Sequence, residues 1–290
     1  MIMGLSALSA ARACLVAWGA TSGHAESEVV AVKMIEPWPS DTDPTMLVVT
    51  RGEVMDREVT RLERAITRVL RRHHVACAAQ VRVSAPPCGD GQVLVQANIR
   101  FRGAQARVQV AGPRGFVATF TAERLDRQLA RLTGTGEPRY WPDPARPPLA
   151  AVTEERPIVR RKACALAVGD PAAATRAMDA MDYDAHLFID AQTGHDAVIF
   201  WAGPLGVRLA RQHLAPPQSE PAQTVPLTVD PRPAPLLTDR EAAARLCRYG
   251  LPFVFFTEPR SGRGRLLYRR HDGDLAIVLP DEATFGGVSA

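Results

Sequence analysis

Leu236–Pro280 reads LLTDREAAARLCRYGLPFVFFTEPRSGRGRLLYRRHDGDLAIVLP. It is a compact unit, a capped helix followed by three short strands joined by two tight turns. A degenerate copy lies 68 residues upstream, in Val168–Leu209. Under a gapless shift, Met181 falls on Tyr249 at the helix end and Leu187-Phe188 on Phe255-Phe256 in the first strand. Gly194 falls on Gly262 in the hairpin turn, and Val198, Phe200, Val207 and Leu209 fall on Leu266, Tyr268, Leu275 and Ile277. An extended piece precedes each helix, Ile158–Arg161 and Leu227–Val229, so each unit is expected to be β-α-β-β-β of about fifty residues. A unit that small buries too little apolar surface to be robust alone. Each also leaves aromatic residues on its sheet (Phe188 and Phe200; Phe256 and Tyr268), which are the expected pairing interface between the copies.

Ahead of the repeats lies a different pattern. MLVVT, from Met46, is a short strand, and Asp56 is placed to cap a helix over Arg57–His74. Val59, Leu62, Ile66, Val69 and Leu70 recur at helical spacing. Arg57, Arg61, Arg64, Arg68, Arg71 and Arg72 fall on the opposite arc, which is nearly pure arginine. Three strands follow. Val81 and Val83 alternate with Arg82, and Val93, Val95, Ala97, Ile99 and Phe101 share one face while Gln96, Asn98, Arg100 and Arg102 share the other. Ala106, Val108 and Val110 point in, with Arg107 out. A second helix is expected over Gly115–Leu132, burying Val117, Ala118, Thr121, Leu125, Leu129 and Leu132, with Arg124, Arg127 and Arg131 along one edge of its outer surface. The order is β-α-β-β-β-α, with both helices on one face of the sheet, as in a double-stranded-RNA-binding-like domain. The fold class is therefore α+β, with two tandem β-α-β-β-β repeats after this domain.

Of the 35 basic residues only Lys33 and Lys162 are lysines. A GC-rich coding bias explains so many arginines, so their positions inform more than their number. Residues 46–134 hold fifteen Arg against seven Asp and Glu, a net of +8, whereas the whole chain is +4, leaving −4 elsewhere. Such asymmetry points to an RNA-facing N-terminal domain joined to something that does not bind nucleic acid through bulk charge. Five cysteines without a CxxC pair fit a reducing, cytoplasmic compartment better than a disulfide framework. The first 45 residues lack a basic leader before their apolar run and are expected to be a disordered extension or an over-long start, with Met34 or Met46 as the true start. No stretch approaches ~18 uninterrupted apolar residues, so no membrane span is expected. The division that follows is 46–134 for the basic domain, 135–156 for a Pro-rich linker, 157–211 and 226–281 for the repeats, 212–225 for a second linker and 282–290 for a tail.

The second repeat resembles the C-terminal domain of the long-form ribosome hibernation promoting factors. FVFFTEPRSGRGRLLYRRHDGDLAIVLP carries that family's Phe-rich strand, its Thr-Gly-type turn, its Val-Tyr-Arg-Arg strand and its Asp-Gly turn in order. The first repeat keeps MDAMDYDAHLFIDAQTGHDAVIF but has Phe200-Trp201-Ala202-Gly203-Pro204 where the family has Tyr-Arg-Arg-x-Asp-Gly. Leu125-Asp126-Arg127-Gln128-Leu129 is similar to the last-helix signature of the family's ribosome-binding domain. The twin repeats resemble the hypoxia- and dormancy-associated translation inhibitors of mycobacteria. The resemblance covers about residues 46–280 and is most specific in 236–280.

It implies a non-enzymatic factor that occupies the mRNA and tRNA channel of the small ribosomal subunit under stress. Its first-choice rRNA contacts would be Arg57, Arg61, Arg64, Arg68, Arg71 and Arg72 with Arg124, Arg127 and Arg131. Arg82, Arg100, Arg102 and Arg107 on the open sheet face are the second choice. Arginine forks suit recognition of RNA by phosphate and shape. In the family one C-terminal domain per chain pairs with that of another chain and couples two ribosomes. Here a short linker gives an effective concentration on the order of millimolar, so pairing within a monomer is expected, on single ribosomes.

Asp182, Asp184, His186, Asp190, His195 and Asp196 crowd into fifteen residues. Their equivalents 68 residues on are Gly250, Pro252, Val254, Glu258, Arg263 and Gly264, so the repeat does not require them. They are expected to be solvated acidic surface, with Asp184 or His186 touching the other repeat as an alternative, and no metal is expected. No nucleophile motif or phosphate loop occurs, so no cofactor, catalysis, DNA or membrane role is expected. The competing readings are a free-standing double-stranded RNA-binding protein and a protein-interaction module that does not touch the ribosome.

Overall fold

The computed structural model describes residues 32–34, 46–75, 78–85, 91–101, 104–134, 137–139, 142–143, 153–214 and 225–281. The protein is mixed α and β. Its N-terminal sheet runs in the order β1 (Val32–Met34), β2 (Met46–Arg51), β3 (Ala79–Ser84), β4 (Val93–Phe101) and β5 (Ala104–Gly112). The β2–β3 pair is parallel because helix α1 (Asp56–Arg72) makes the crossover, and all other neighbours are antiparallel. Helix α2 (Val117–Thr133) follows β5. Strand β1 falls within the stretch expected to be a disordered extension, and its three residues pair with Leu47–Val49 instead. The remainder of that stretch lies outside the described residues.

The period-two pattern of the strands becomes the core. Val81, Val83, Val93, Val95, Ala97, Ile99, Ala106, Val108 and Val110 are buried beneath the two helices, together with Val59, Leu62, Ile66, Val69 and Leu70 of α1. Asp56 is not the cap of α1 but its first helical residue; Met55 is the N-cap. The Glu58 carboxylate accepts from the Met55 amide at 3.3 Å, and both acids face the positive end of the helix. Helix α2 buries Arg124 and Gln128 as well as its apolar arc.

The two repeats have the same parts. The first comprises β6 (Ile158–Cys164), β7 (Val168–Gly169), α3 (Pro171–Ala180), β8 (Ala185–Asp190), β9 (Asp196–Trp201) and β10 (Val207–Arg211). The second comprises β11 (Leu227–Val229), α4 (Asp239–Arg248), β12 (Phe253–Thr257), β13 (Gly264–Arg269) and β14 (Leu275–Pro280). Asp170 caps α3 and Thr238, 68 residues on, caps α4, each accepting from the amide three residues ahead. In the second repeat the buried Arg269 donates to the Gly273 carbonyl at 2.8 Å and so fastens the Asp-Gly turn. Its counterpart Trp201 donates to the Tyr183 carbonyl at 3.0 Å instead.

The leading strands are exchanged between the repeats. Strand β6 precedes α3 yet pairs in parallel with β14 of the second repeat, giving the sheet β12-β13-β14-β6. Strand β11 precedes α4 yet pairs in parallel with β10 of the first, giving β11-β10-β9-β8-β7. The registers correspond: Arg208 lies opposite Thr228 as Ala276 lies opposite Arg160, and Leu209 opposite Val229 as Ile277 opposite Arg161. The expected self-contained β-α-β-β-β units are thus corrected. Neither repeat completes its own sheet, so neither can leave without breaking a strand pairing in the other.

Each sheet has two apolar faces. One packs on its own helix: Phe188, Ala197, Ile199, Val207 and Leu209 with α3, and Val254, Phe256, Leu267, Leu275 and Ile277 with α4. The other face meets the partner repeat, through Leu166, Leu187, Ile189, Val198, Phe200, Phe253, Phe255 and Leu266. Phe200 and Phe253 make an edge-to-face contact at 5.2 Å across it.

His186 is sandwiched on the α3 side, stacked at 6.1 Å on Tyr183 and 6.4 Å on Phe188. Burial pushes its imidazole down to about 4. The folded protein therefore keeps His186 neutral while the unfolded chain protonates it near 6.5, so stability is lost as pH falls from about 6.5 towards 4. His186→Val, which copies Val254 in the second repeat, is expected to flatten that part of a denaturation-midpoint-against-pH profile.

Candidate nucleic-acid interface

Arg57, Arg61, Arg64, Arg68, Arg71 and Arg72 all lie exposed along α1. Arg61 donates to the Gly115 carbonyl at 3.3 Å, which ties the stripe to the start of α2. At the other end Arg72 pairs with Asp126 at 3.1 Å. His73 bonds the second oxygen of Asp126 at 2.9 Å, and that bond, then Arg72, holds the carboxyl below its usual range. Beside Arg61 two aromatic rings stand exposed and stacked, Phe116 and Phe120 at 6.2 Å. Neither had a signal in the periodicity, because the buried arc of α2 skips both.

The α2 arginines divide. Arg127 is exposed, but Arg124 is only 3% exposed and Arg131 is partly covered. Both reach the first repeat, Arg124 away from solvent and Arg131 partly so, which corrects their placement on an outer surface. Arg124 Nη2 donates to Asp182 Oδ1 at 2.8 Å and Oδ2 at 3.1 Å. Asp182 Oδ2 also accepts from the Gln109 amide at 3.0 Å. Arg131 Nη1 lies 2.5 Å from Asp179 Oδ2, and Arg139 Nε donates to Asp179 Oδ1 at 2.7 Å. Gln128 closes the contact by donating to the Asp179 and Ala180 carbonyls at 3.0 and 3.2 Å, where α3 ends with acceptors to spare. The acidic end of α3 thus latches the N-terminal domain to the first repeat.

The open face of the N-terminal sheet is also partly covered. Gln109, buried on β5, accepts from Gln96 at 2.6 Å and from Arg107, and meets His271 of the second repeat. Arg107 lies over the Tyr183 ring at 5.3 Å. Arg82 is half-buried; burial, then Arg160 and Arg270, push its guanidinium down to about 10. Close by, Lys162 donates to the Tyr268 hydroxyl and is pushed down to about 7 by burial, then by Arg160 and Arg107. Arg100 is exposed. Arg102 lies outside the described residues.

Of the four aromatics expected at the repeat interface, Phe200 lies in the contact between the sheets. Tyr268 meets the exchanged strand β6 through Lys162. Phe188 and Phe256 sit in the cores beneath α3 and α4. Alternation along a strand puts their neighbours Leu187 and Phe255 on the partner face instead.

The acidic cluster is not solvated surface. Asp182, Asp190 and Asp196 are all buried, each against an arginine. Asp190 pairs with Arg211 at 2.6 Å within the first repeat, whereas Asp196 reaches across to Arg263 at 2.8 Å in the second. No three His, Cys, Asp or Glu side chains among the described residues are grouped so as to hold a metal ion. Likewise, no helix among them is long and apolar enough to cross a membrane.

The family model for the sigma 54 modulation/S30EA ribosomal protein C terminus matches residues 153–209, the first repeat together with the strand it gives away. The dormancy associated translation inhibitor of Mycobacterium tuberculosis is 42% identical over 256 residues in each of two strains, CDC 1551 / Oshkosh and ATCC 25618 / H37Rv. That alignment covers 84% of this chain and 92% of the relative. A match of that length extends well beyond the residues that the family model covers. The chain belongs to the sigma 54 modulation/S30EA family of ribosome hibernation factors, which are not enzymes.

Proposed function

We propose that the protein is a cytoplasmic hibernation factor that binds the small ribosomal subunit in its mRNA and tRNA channel, inhibits translation in dormancy and protects idle ribosomes. The observation that carries this reading is the run of six exposed guanidiniums on one face of α1. Rigid cationic forks at helical spacing match a phosphate backbone without reading sequence. Arg57, Arg61, Arg64, Arg68, Arg71 and Arg72 are the rRNA contacts in this reading, with Arg127 beside them. Arg124 and Arg131 serve the contact with the first repeat, and Arg82, Arg100, Arg102 and Arg107 are a reserve surface. The name of the mycobacterial relative supports inhibition of translation as the outcome.

Stoichiometric co-sedimentation with purified small subunits tests the proposal; failure to pellet with them overturns it. A free-standing double-stranded RNA-binding protein, suggested by the β-α-β-β-β-α order, would instead bind any RNA duplex equally well. The reciprocal strand exchange supports action as a monomer on single ribosomes, since each repeat already has its partner. Added to vacant ribosomes and run on a sucrose gradient, the protein is expected to leave the single-ribosome peak unshifted. A strong ribosome-dimer peak would sink this part.

A further inference from the structure

Positions 196 and 264 are equivalent, 68 residues apart, and they touch. The equivalent strands β9 and β13 face each other where the repeats meet, so the pseudo-two-fold relating the repeats passes beside these residues. Asp196 Oδ2 accepts from the Gly264 amide at 2.8 Å and from Arg263 Nε at 2.8 Å, while Oδ1 accepts from Arg263 Nη2 at 3.0 Å. Gln212 donates to Thr257 Oγ1 at 3.2 Å and to the Gly262 carbonyl at 3.0 Å, and accepts from the Asp196 amide at 3.0 Å. A Cβ on Gly264 would stand 2.6 Å from Asp196 Cβ and 2.9 Å from the Phe255 ring. Only a residue without a side chain fits there, because Asp196 and Phe255 fill the space. Phe255 is itself equivalent to Leu187, the smaller residue in the repeat that carries the aspartate.

We propose that Leu187, His195 and Asp196 on one repeat, and Phe255, Arg263 and Gly264 on the other, form a lock that makes the repeats fit each other and not copies of themselves. Two first repeats meeting in the same geometry would bring two Asp196 side chains together, with Cβ atoms closer than real Cβ contacts come and two carboxylates buried at one point. Two second repeats would set each Arg263 against Gly264 of the other, with no carboxylate in the place of Asp196. Each like pairing fails for a different reason, one steric and anionic, the other cationic and unpartnered. Only the unlike pair supplies one carboxylate, one guanidinium and one vacancy for a side chain. An interface between identical chains cannot use this device, since a residue on its axis meets itself. The partner that fits each repeat face is therefore the other repeat of this chain. The lock rests on pairing within the chain and not on ribosome binding, so its test contains no ribosomes.

The test exchanges the lock in the full chain. Phe255→Leu with Arg263→His and Gly264→Asp gives both repeats the acidic side; Leu187→Phe with His195→Arg and Asp196→Gly gives both the basic side. The third variant carries all six substitutions and presents the lock reversed. Hydrogen exchange at the amides of β6 and β11 reads the repeat pairing, and amides of β4 report that the N-terminal domain is still folded. Each triple variant is expected to exchange at β6 and β11 on the order of a hundredfold faster than wild type, the consequence of breaking a buried pair. The six-fold variant is expected to return to within about tenfold of wild type. Wild-type protection in either triple variant overturns the proposal. So does a six-fold variant as unprotected as the triples, because Asp196 would then matter only as a structural residue in its own place.

Discussion

Replacing Arg61, Arg64 and Arg68 with glutamate is expected to abolish co-sedimentation with the small subunit while leaving the thermal midpoint within a degree or two of wild type. The three guanidiniums are exposed on successive turns of α1, and the apolar arc beneath them is untouched by the change. Surface substitutions of this kind move stability by about 0.5 kcal/mol or less. Binding is another matter. Every arginine that neutralises a phosphate releases counterions, and each one lost lowers the slope of log affinity against log salt by about 1. Reversal adds repulsion to the lost contact, so three reversals remove the attraction and install its opposite. The neutral version, with all three as glutamine, is expected to bind weakly at low salt with a shallower salt slope. Wild-type affinity in the glutamate variant would move the RNA contact elsewhere on the molecule. Arg72 is left out of the set because its charged pairing with Asp126 would mix a larger folding effect into the result than loss of the single exposed bond from Arg61 to the Gly115 carbonyl.

Sequence patterns located the elements and not their neighbours. Alternating Val and Ala residues in β3 to β5, and the 3.6-residue recurrence from Val59 to Leu70 in α1, act within one element, where periodicity is a direct consequence of backbone geometry. The strand exchange lay beyond such signals. Because β10 and β14 are copies of one another, an incoming parallel strand finds nearly the same edge on either, and nothing local in Ile158–Cys164 or Leu227–Val229 selects between them. Arg124 looked like an exposed edge residue for a related reason. Its partner Asp182 is 58 residues away, on a helix end whose direction is fixed only once the repeats have assembled. The acidic cluster misled through the repeat comparison itself. Its equivalents lacked acidity, which suggested tolerance, whereas the unlike residues Asp196 and Gly264 are the ones that meet.

Asp182→Asn is expected to undock the N-terminal domain from the repeats. Asp182 sits at φ +52°, in the left-handed region that Asp and Asn both tolerate, so the substitution keeps the backbone while it removes the charge and turns one of two accepting oxygens into an NH2 donor. What remains is a buried guanidinium facing an amide. Arg124 Nη1 already makes no hydrogen bond, and the next carboxylate, on Asp143, lies 3.9 Å from its Nε. Stranding one member of a buried ion pair costs about 3–5 kcal/mol, and this docking contact is largely polar, as interfaces between domains of one chain commonly are. Guanidinium denaturation followed by hydrogen exchange is expected to resolve two transitions in the variant where wild type has one, and protease to cut within 135–156 sooner. Adding Arg124→Leu is expected to recover much of the loss, because the buried site then holds no charge to satisfy. A single wild-type transition in Asp182→Asn would mean that the Arg131–Asp179–Arg139 contacts and Gln128 hold the domains together unaided. The undocked variant also separates the two candidate RNA surfaces. If α1 carries the binding, its affinity for small subunits stays at the wild-type value. If Arg82 and Arg107 on the sheet carry it, uncovering them raises the affinity, and the repeats that cover them, through Tyr183 over Arg107, are then what rRNA must displace.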